Sequence, residues 1–178
     1  MNISEKYLKS VLSYLVTLDQ KLSIYQFELI INNRFRLMKA QHLPGEFYRI
    51  LLDSSFISLC DPDKKQREAF KVTELGKNYV SSELQEQQKI LSNLNLCLST
   101  LELEDIETTP PFMKFSFEAR RFKGLVLLDG NDGRLQVSMP NDSPDEVEYL
   151  EYPLNEILGN LEIFKSRIEE QINSLKKQ

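Results

Sequence analysis

Apolar residues recur at steps of three and four in the first part of the chain, a spacing typical of amphipathic helices. Residues 4–18 form one such face through Leu8, Val11, Leu12, Leu15 and Leu18. Residues 23–39 repeat the pattern, and Ser23 is the predicted N-cap of that helix. A third, short helix is predicted after Leu43. Pro44 suits its first turn, because the missing N–H has no intrahelical partner there.

Short extended runs replace the helical pattern after Ser55. Residues 56–59 and 69–72 predict two strands joined by a polar turn. Thr73 is the predicted N-cap of the next helix, which we expect to continue to about Leu103.

Two segments carry apolar residues spaced by seven, at 84–101 and at 154–175, although Gln87 interrupts the first seam. This spacing is typical of a coiled coil or a long packed hairpin. Either the two seams pack on each other within one chain, or they pair across a two-fold axis. We favour a homodimer, because symmetric pairs are the commonest oligomers. The predicted dimerisation residues are Leu84, Leu91, Leu94, Leu98, Leu101, Leu154, Leu161, Ile168 and Leu175.

Strand-like runs lie between the two seams. Alternation marks residues 112–117, and the runs 123–128 and 134–139 flank the segment from Asp129 to Gly133. Asn, Asp and Gly tolerate positive φ, so these two runs predict a β-hairpin. Residues 140–151 are interpreted as a polar, acidic loop.

Composition and charge restrict the binding partners that the protein is expected to have. The chain has 178 residues and a net charge of −5. Residues 1–80 hold 12 basic and 9 acidic residues, whereas the remainder holds 10 basic and 18 acidic ones. This asymmetry argues against nucleic acid covering the whole surface, because phosphate binding needs concentrated positive charge. No apolar run approaches the ~18–20 residues that cross a bilayer. With Cys60 and Cys97 read as reduced thiols, we expect a cytoplasmic protein without a membrane contact.

The first eighty residues follow the order helix, helix, helix, strand, turn, strand, and then Thr73-Glu74-Leu75-Gly76 opens a further helix. This order resembles a winged helix-turn-helix domain. The resemblance implies that the third helix enters the major groove of duplex DNA and that the wing touches the backbone. The DNA-binding residues it implies are Arg34, Arg36, Lys39, Tyr48, Arg49, Lys64, Lys65 and Arg67.

The expected fold class is α+β, with an N-terminal winged helix, long amphipathic helices and a C-terminal β-hairpin or small antiparallel sheet. We expect a winged-helix-like domain at 1–80, a linking amphipathic helix at 81–107, and a hairpin with a C-terminal helix at 108–178.

The residues of catalytic sites are missing from the pattern. His42 is the single histidine, and Cys60 and Cys97 lack the spacing of zinc ligands. The segment from Asp129 to Gly133 departs from the spacing of a calcium loop, and the acidic residues at 142–151 are interpreted as solvated. We therefore predict a protein that is not an enzyme and has no catalytic residues, metal or cofactor.

Two functions remain open. One is a dimeric, DNA-associated transcriptional regulator. The other is an adaptor or accessory subunit that binds protein partners. The adaptor reading predicts that Phe112, Phe115, Phe117 or the edge of the hairpin stays exposed for strand addition.

Overall fold

The structure is a computed structural model that describes residues 4–35, 44–61, 69–118, 121–129, 132–140, 147–153 and 161–177. Its contacts divide the chain into two compact units, an N-terminal unit of Met1–Gln85 and a C-terminal unit of Glu86–Gln178. The boundary between them falls inside one long helix. Helices and antiparallel sheets are both present, which confirms the α+β class.

The N-terminal unit combines helices with a small antiparallel sheet in the strand order β1-β3-β2. Its elements are α1 Glu5–Leu18, β1 Leu22–Ser23, α2 Ile24–Arg34, α3 Pro44–Asp53, β2 Ile57–Leu59, β3 Ala69–Val72 and the first part of α4 Glu74–Leu98.

Two helix starts follow the capping chemistry that the sequence predicts. The Ser23 hydroxyl accepts a hydrogen bond from the backbone N–H of Gln26, and the Gln26 side chain accepts one from the backbone N–H of Ser23. This reciprocal pair is a capping box. At the start of α4, the Thr73 hydroxyl accepts from the N–H of Gly76 and donates to the carbonyl of Ser55. The predicted N-caps Ser23 and Thr73 are confirmed.

Aromatic rings make up much of the core of the N-terminal unit. Phe27 of α2 lies 5.8 Å from Phe70 of β3 and 6.1 Å from Phe47 of α3, between ring centroids. Tyr7 of α1 lies 5.0 Å from Phe47 and 6.0 Å from Phe35. The Phe27–Phe47 pair is stacked and the other three pairs are edge-to-face, and both geometries at these distances add to the free energy of area burial. The rings therefore connect α1, α2, α3 and β3.

The C-terminal unit contains a five-stranded antiparallel meander in the order β4-β5-β6-β7-β8. Its elements are β4 Glu104–Thr109, β5 Phe112–Phe117, β6 Phe122–Asp129, β7 Asp132–Pro140, β8 Val147–Pro153 and the C-terminal helix, here called α5, Leu161–Lys176. Asp129 pairs with Asp132, so two residues connect β6 to β7. The hairpin predicted at this position is confirmed.

One face of this sheet packs against α4 and α5. Alternate residues of β5 and β6, such as Met113, Phe115 and Val126, share a cluster with Leu94 of α4 and Ile168 of α5. The ring of Phe115 lies directly over Gly124, its cross-strand neighbour, where a Cβ atom would collide with the ring. The absence of a side chain at Gly124 thus makes room for Phe115.

Two sequence predictions were wrong in this half of the chain. The helix expected to reach Leu103 ends at Leu98, and the acidic stretch after it is strand β4. The stretch interpreted as a loop at 140–151 contains most of β8. Residues 104–108 of β4 are exposed, because β4 is an edge strand. An exposed edge strand lacks the apolar alternation by which half-buried strands are recognised.

Candidate functional site

The outward face of α3 is the first of the predicted interaction surfaces. Phe47 and Leu51 point into the core, whereas Glu46, Arg49 and Asp53 are exposed. Arg49 is therefore available to a partner, as predicted, but two carboxylates accompany it on the same helix. Direct readout of bases favours Arg, Lys, Asn or Gln at such positions. The net positive charge of the first half of the sequence suggests a surface that attracts phosphate. The mixed charge of this face of α3 attracts phosphate less strongly than that.

Tyr48, which the sequence also places among the DNA-binding residues, packs on the aromatic core. Its ring centroid lies 5.4 Å from that of Phe70 and 6.1 Å from that of Phe27. The residue is half-buried. Arg34 is half-buried as well and lies in the last turn of α2, where the helix dipole favours a cation.

The other predicted DNA-binding residues lie outside the described residues. They are Arg36, Lys39, Lys64, Lys65 and Arg67.

Most of the predicted dimerisation seam lies in the core of the single chain. Leu91, Leu94, Leu98, Ile168 and Leu175 belong to the cluster that packs on the five-stranded sheet, and each is at most 3% exposed. A partner chain has no access to these five side chains. The two seams were expected either to pack on each other or to pair with a second copy; these five residues instead share one cluster with the sheet of their own chain. An apolar stripe of period seven can be buried equally well against a sheet or against a partner helix. The spacing therefore does not show which of the two covers it.

The remaining seam positions are either half-buried or outside the described part of the chain. Leu84 and Leu101 are half-buried. Leu154 and the side chain of Leu161 lie outside what the structure describes.

An adaptor was expected to expose either Phe112, Phe115 or Phe117, or the edge of the hairpin, and the first of these alternatives is contradicted because all three rings are buried. Phe112 and Phe115 are 2% exposed and Phe117 is 7% exposed. Strand β5 lies between β4 and β6 and not at an edge, and each of its residues except the half-buried Lys114 is buried. At the edge strand β4, residues 104–108 are exposed.

A cavity that sequence reasoning missed lies on the sheet face opposite the helices. It has a volume of about 430 Å³, and its charged lining residues are Asp105 and Glu107 of β4, Lys114 of β5 and Lys123 of β6. The uncharged lining residues are Phe115, Ser116, Gly124, Leu125 and Gln136. The sequence does carry a signal for this face, because alternate positions of residues 112–117 are polar. The acidic strand that lies beside them was not predicted.

A second cavity, of about 490 Å³, lies beside the first turn of α4. Lys21, Lys71 and Lys77 line it together with Asp19 and Glu74. The Lys77 ammonium lies 3.1 Å from the Glu74 carboxylate, and this pairing raises the pKa of Lys77. The five charges leave this cavity with a single net positive charge.

Reactive chemistry is sparse across the parts of the chain that the structure describes. Within them, no three His, Cys, Asp or Glu side chains come together as metal ligands. Cys60 and Cys97 form no disulfide, and burial raises the pKa of the Cys97 thiol, which favours its unreactive protonated form. His42 and the side chains of the acidic residues at 142–151 lie outside the described residues.

The chain matches no protein-family model, no curated protein and no solved structure. None of the described helices combines the length and the apolar character that crossing a bilayer requires.

Proposed function

We propose that the N-terminal unit is a winged helix-turn-helix domain through which the protein associates with duplex DNA as a transcriptional regulator. The observation that carries the proposal is a three-helix arrangement with a sheet of strand order β1-β3-β2, in which β1 lies between α1 and α2 and the antiparallel pair β2 and β3 follows α3. In this arrangement α3 corresponds to the helix that enters the groove, and residues 60–68 correspond to the wing.

The charges near this surface favour contacts with the DNA backbone over base reading. Arg49 is the exposed cation of α3, and it lies between Glu46 and Asp53 in sequence. The wing segment adds Lys64, Lys65 and Arg67 in sequence, against Asp61, Asp63 and Glu68. A surface of this balance supports a few salt-sensitive phosphate contacts and little sequence discrimination.

The test is fluorescence anisotropy of the full chain with mixed-sequence duplex DNA across a salt series. A variant with Lys64, Lys65 and Arg67 changed to Ala removes the predicted wing contacts. Each phosphate contact adds about 0.9 to the slope of log K against log salt, so three lost contacts lower the slope by about 3. Arg49→Ala alone lowers it by about 1 if Arg49 contacts one phosphate.

The control changes Lys89, Arg167 and Lys177 to Ala, three exposed cations of α4, α5 and the residue after α5. This variant carries the same net charge as the wing variant, so both suffer the same loss of general attraction. Equal weakening of the two variants contradicts a wing interface. The absence of any binding at low salt rejects the DNA proposal altogether.

An adaptor function is the second candidate, and the edge strand β4 favours it. Residues 104–108 are exposed and include Glu104, Asp105 and Glu107, so a strand added there would be basic. A bulge between Glu104 and Glu107 and the charges themselves limit such pairing to specific partners. A protein that does not bind DNA but captures a basic extended peptide would support this function.

A further inference from the structure

The outer face of the five-stranded sheet holds charges of both signs around one concave space. A volume of about 430 Å³ falls in the range of about 300–1,000 Å³ that small-molecule sites occupy. Lys114 and Lys123 lie on neighbouring strands at diagonal positions, because Lys114 pairs with Leu125 and Lys123 pairs with Ser116. Asp105 and Glu107 face them from β4. The site therefore offers two ammonium groups and two carboxylates.

A β-bulge in β4 shapes the acidic side of the cavity. Glu104 pairs with Ser116 and Glu107 pairs with Lys114, so β4 uses one residue more than β5 over this interval. Asp105 takes a positive φ of 49° within the bulge, a conformation that Asp adopts more readily than most residues. Bulges bend a strand and redirect its side chains, and they are common beside binding sites.

Ser116 adds a hydroxyl with spare hydrogen-bonding capacity. The residue is 5% exposed, yet its hydroxyl lies 3.4 Å from both the Glu104 carbonyl and the Asp105 carboxylate. Hydroxyl hydrogen bonds are normally about 2.7–2.8 Å long, so both contacts are weak. A buried hydroxyl that lines a cavity and is held this loosely is suited to a ligand oxygen or nitrogen.

We propose that this cavity binds a small zwitterion of the α-amino acid class. Its carboxylate would pair with Lys114 and Lys123, and its ammonium group with Asp105 and Glu107. Leu125 provides an apolar floor, and Gln136 provides an amide for a polar side chain.

The charge pattern selects a zwitterion over a simple anion or cation. The carboxylates of β4 would repel a simple anion, and the two lysines would repel a simple cation. A zwitterion carries one group of opposite charge for each of the two sets. Glu107 and Lys114 are direct cross-strand partners, but an ion pair near the surface contributes only about 0–1 kcal/mol. A ligand that binds both side chains in place of their mutual interaction therefore gives up little interaction energy. The cavity lies within the C-terminal unit, so a ligand there does not depend on DNA binding by the N-terminal unit.

Isothermal titration of the full chain with each proteinogenic amino acid at millimolar concentrations tests the proposal. At least one amino acid should bind saturably and raise the melting temperature. Acetate and methylamine, which each carry one of the two charges, should bind at least about tenfold more weakly, a difference of about 1.4 kcal/mol. Failure of every amino acid to bind, or equal binding of acetate, overturns the proposal.

Variants locate the site. Lys114→Gln, Lys123→Gln, Glu107→Gln and Ser116→Ala should each weaken the binding, the charge variants by about tenfold or more. Lys89→Gln, on the exposed surface of α4, is the control and should leave binding unchanged. The exchange Lys114→Glu with Glu107→Lys keeps opposite charges at directly paired positions of β4 and β5, so it should keep the fold, but it moves both charges and should abolish binding. Unaltered binding by this double variant, with an unaltered melting temperature, places the ligand elsewhere.

Discussion

The two units bury their apolar residues in different ways. In the N-terminal unit, aromatic rings from elements far apart in sequence meet, as Phe27 of α2 meets Phe70 of β3 and Tyr7 of α1 meets Phe47 of α3. In the C-terminal unit, each strand after β4 pairs with the strand before it in the chain. The N-terminal unit thus depends on a few large, non-local contacts, whereas the sheet of the C-terminal unit repeats local ones. Loss of one ring should therefore cost the N-terminal unit more than an equal disturbance costs the meander.

The largest effect is expected from Phe27→Ala. Phe27 is fully buried and contacts the rings of Phe47, Tyr48 and Phe70. Removal of such a ring costs about 3–5 kcal/mol of unfolding free energy, from lost transfer energy and the cavity left behind. Hydrogen exchange should show lost protection in α1, α2, α3 and β3, with less change in β5, β6 and β7. Equal loss in both units would mean that they unfold as one.

Gly124→Ala is the corresponding change in the C-terminal unit. The added methyl group would collide with the buried ring of Phe115, so we expect a loss of about 1–3 kcal/mol from overpacking. Gly45→Ala is the matched control in the N-terminal unit, because no atom lies within 4 Å of the position of its Cβ. That change should be neutral or stabilise by up to about 1 kcal/mol. Chemical denaturation measures both, and similar values for the two would refute the close packing at Gly124.

Tyr7 makes the aromatic core sensitive to alkaline pH. Burial raises the pKa of Tyr7 to about 12 from 10.0, and its hydroxyl has no hydrogen-bond partner among the described residues. The folded state favours the neutral phenol, so its stability is intact below pH 10 and falls as the pH rises towards 12. The loss is on the order of 2 kcal/mol, at 1.36 kcal/mol per pKa unit.

Comparison of unfolding at neutral and at high pH checks this expectation. Tyr7→Phe should reduce the alkaline loss, whereas Tyr25→Phe should not, because Tyr25 is 68% exposed. If both variants lose stability as the unchanged protein does, the buried phenol is not the cause.

The smallest effect is expected at Gln87, a buried polar residue of α4. It is 1% exposed, and neither amide atom has a hydrogen-bond partner in the described structure. Gln87→Leu removes an unsatisfied buried amide and should raise the unfolding free energy by about 1 kcal/mol. The adjacent Gln88 is exposed, so Gln88→Leu should change stability by less than about 0.5 kcal/mol. A destabilising Gln87→Leu would show that the amide is satisfied in solution.

Sequence reasoning located the elements whose patterns are strong and local. The boundaries of α1 and β3, the start of α3, and the caps Ser23 and Thr73 follow from spacing and capping chemistry that involve residues a few positions apart. Strand β4 and most of β8 were missed because they lie at the edges of the sheet. Edge strands are identified by their partners, and a partner is not visible in the strand's own sequence.

At the candidate sites too, features that depend on a second element could not be predicted from a segment's own sequence. The exposure of Arg49 follows from the helical period of α3, since Phe47 and Leu51 occupy the inward face. The packing of Tyr48 does not follow from the helical period, because its half-buried position depends on Phe27 and Phe70, from two other elements. The cavity of β4, β5 and β6 depends on register, which brings Glu107 opposite Lys114.

The sequence by itself determined which residues are apolar, where helices begin and where the β6–β7 hairpin turns, because these depend on contacts within a few residues. The tertiary structure alone decided what covers each apolar stripe. Leu91, Leu94 and Leu98 satisfy the same period of seven on a sheet of their own chain as they would on a second copy. It also decided which charges meet, because the cross-strand register that joins β4 to β5 is a property of the folded sheet.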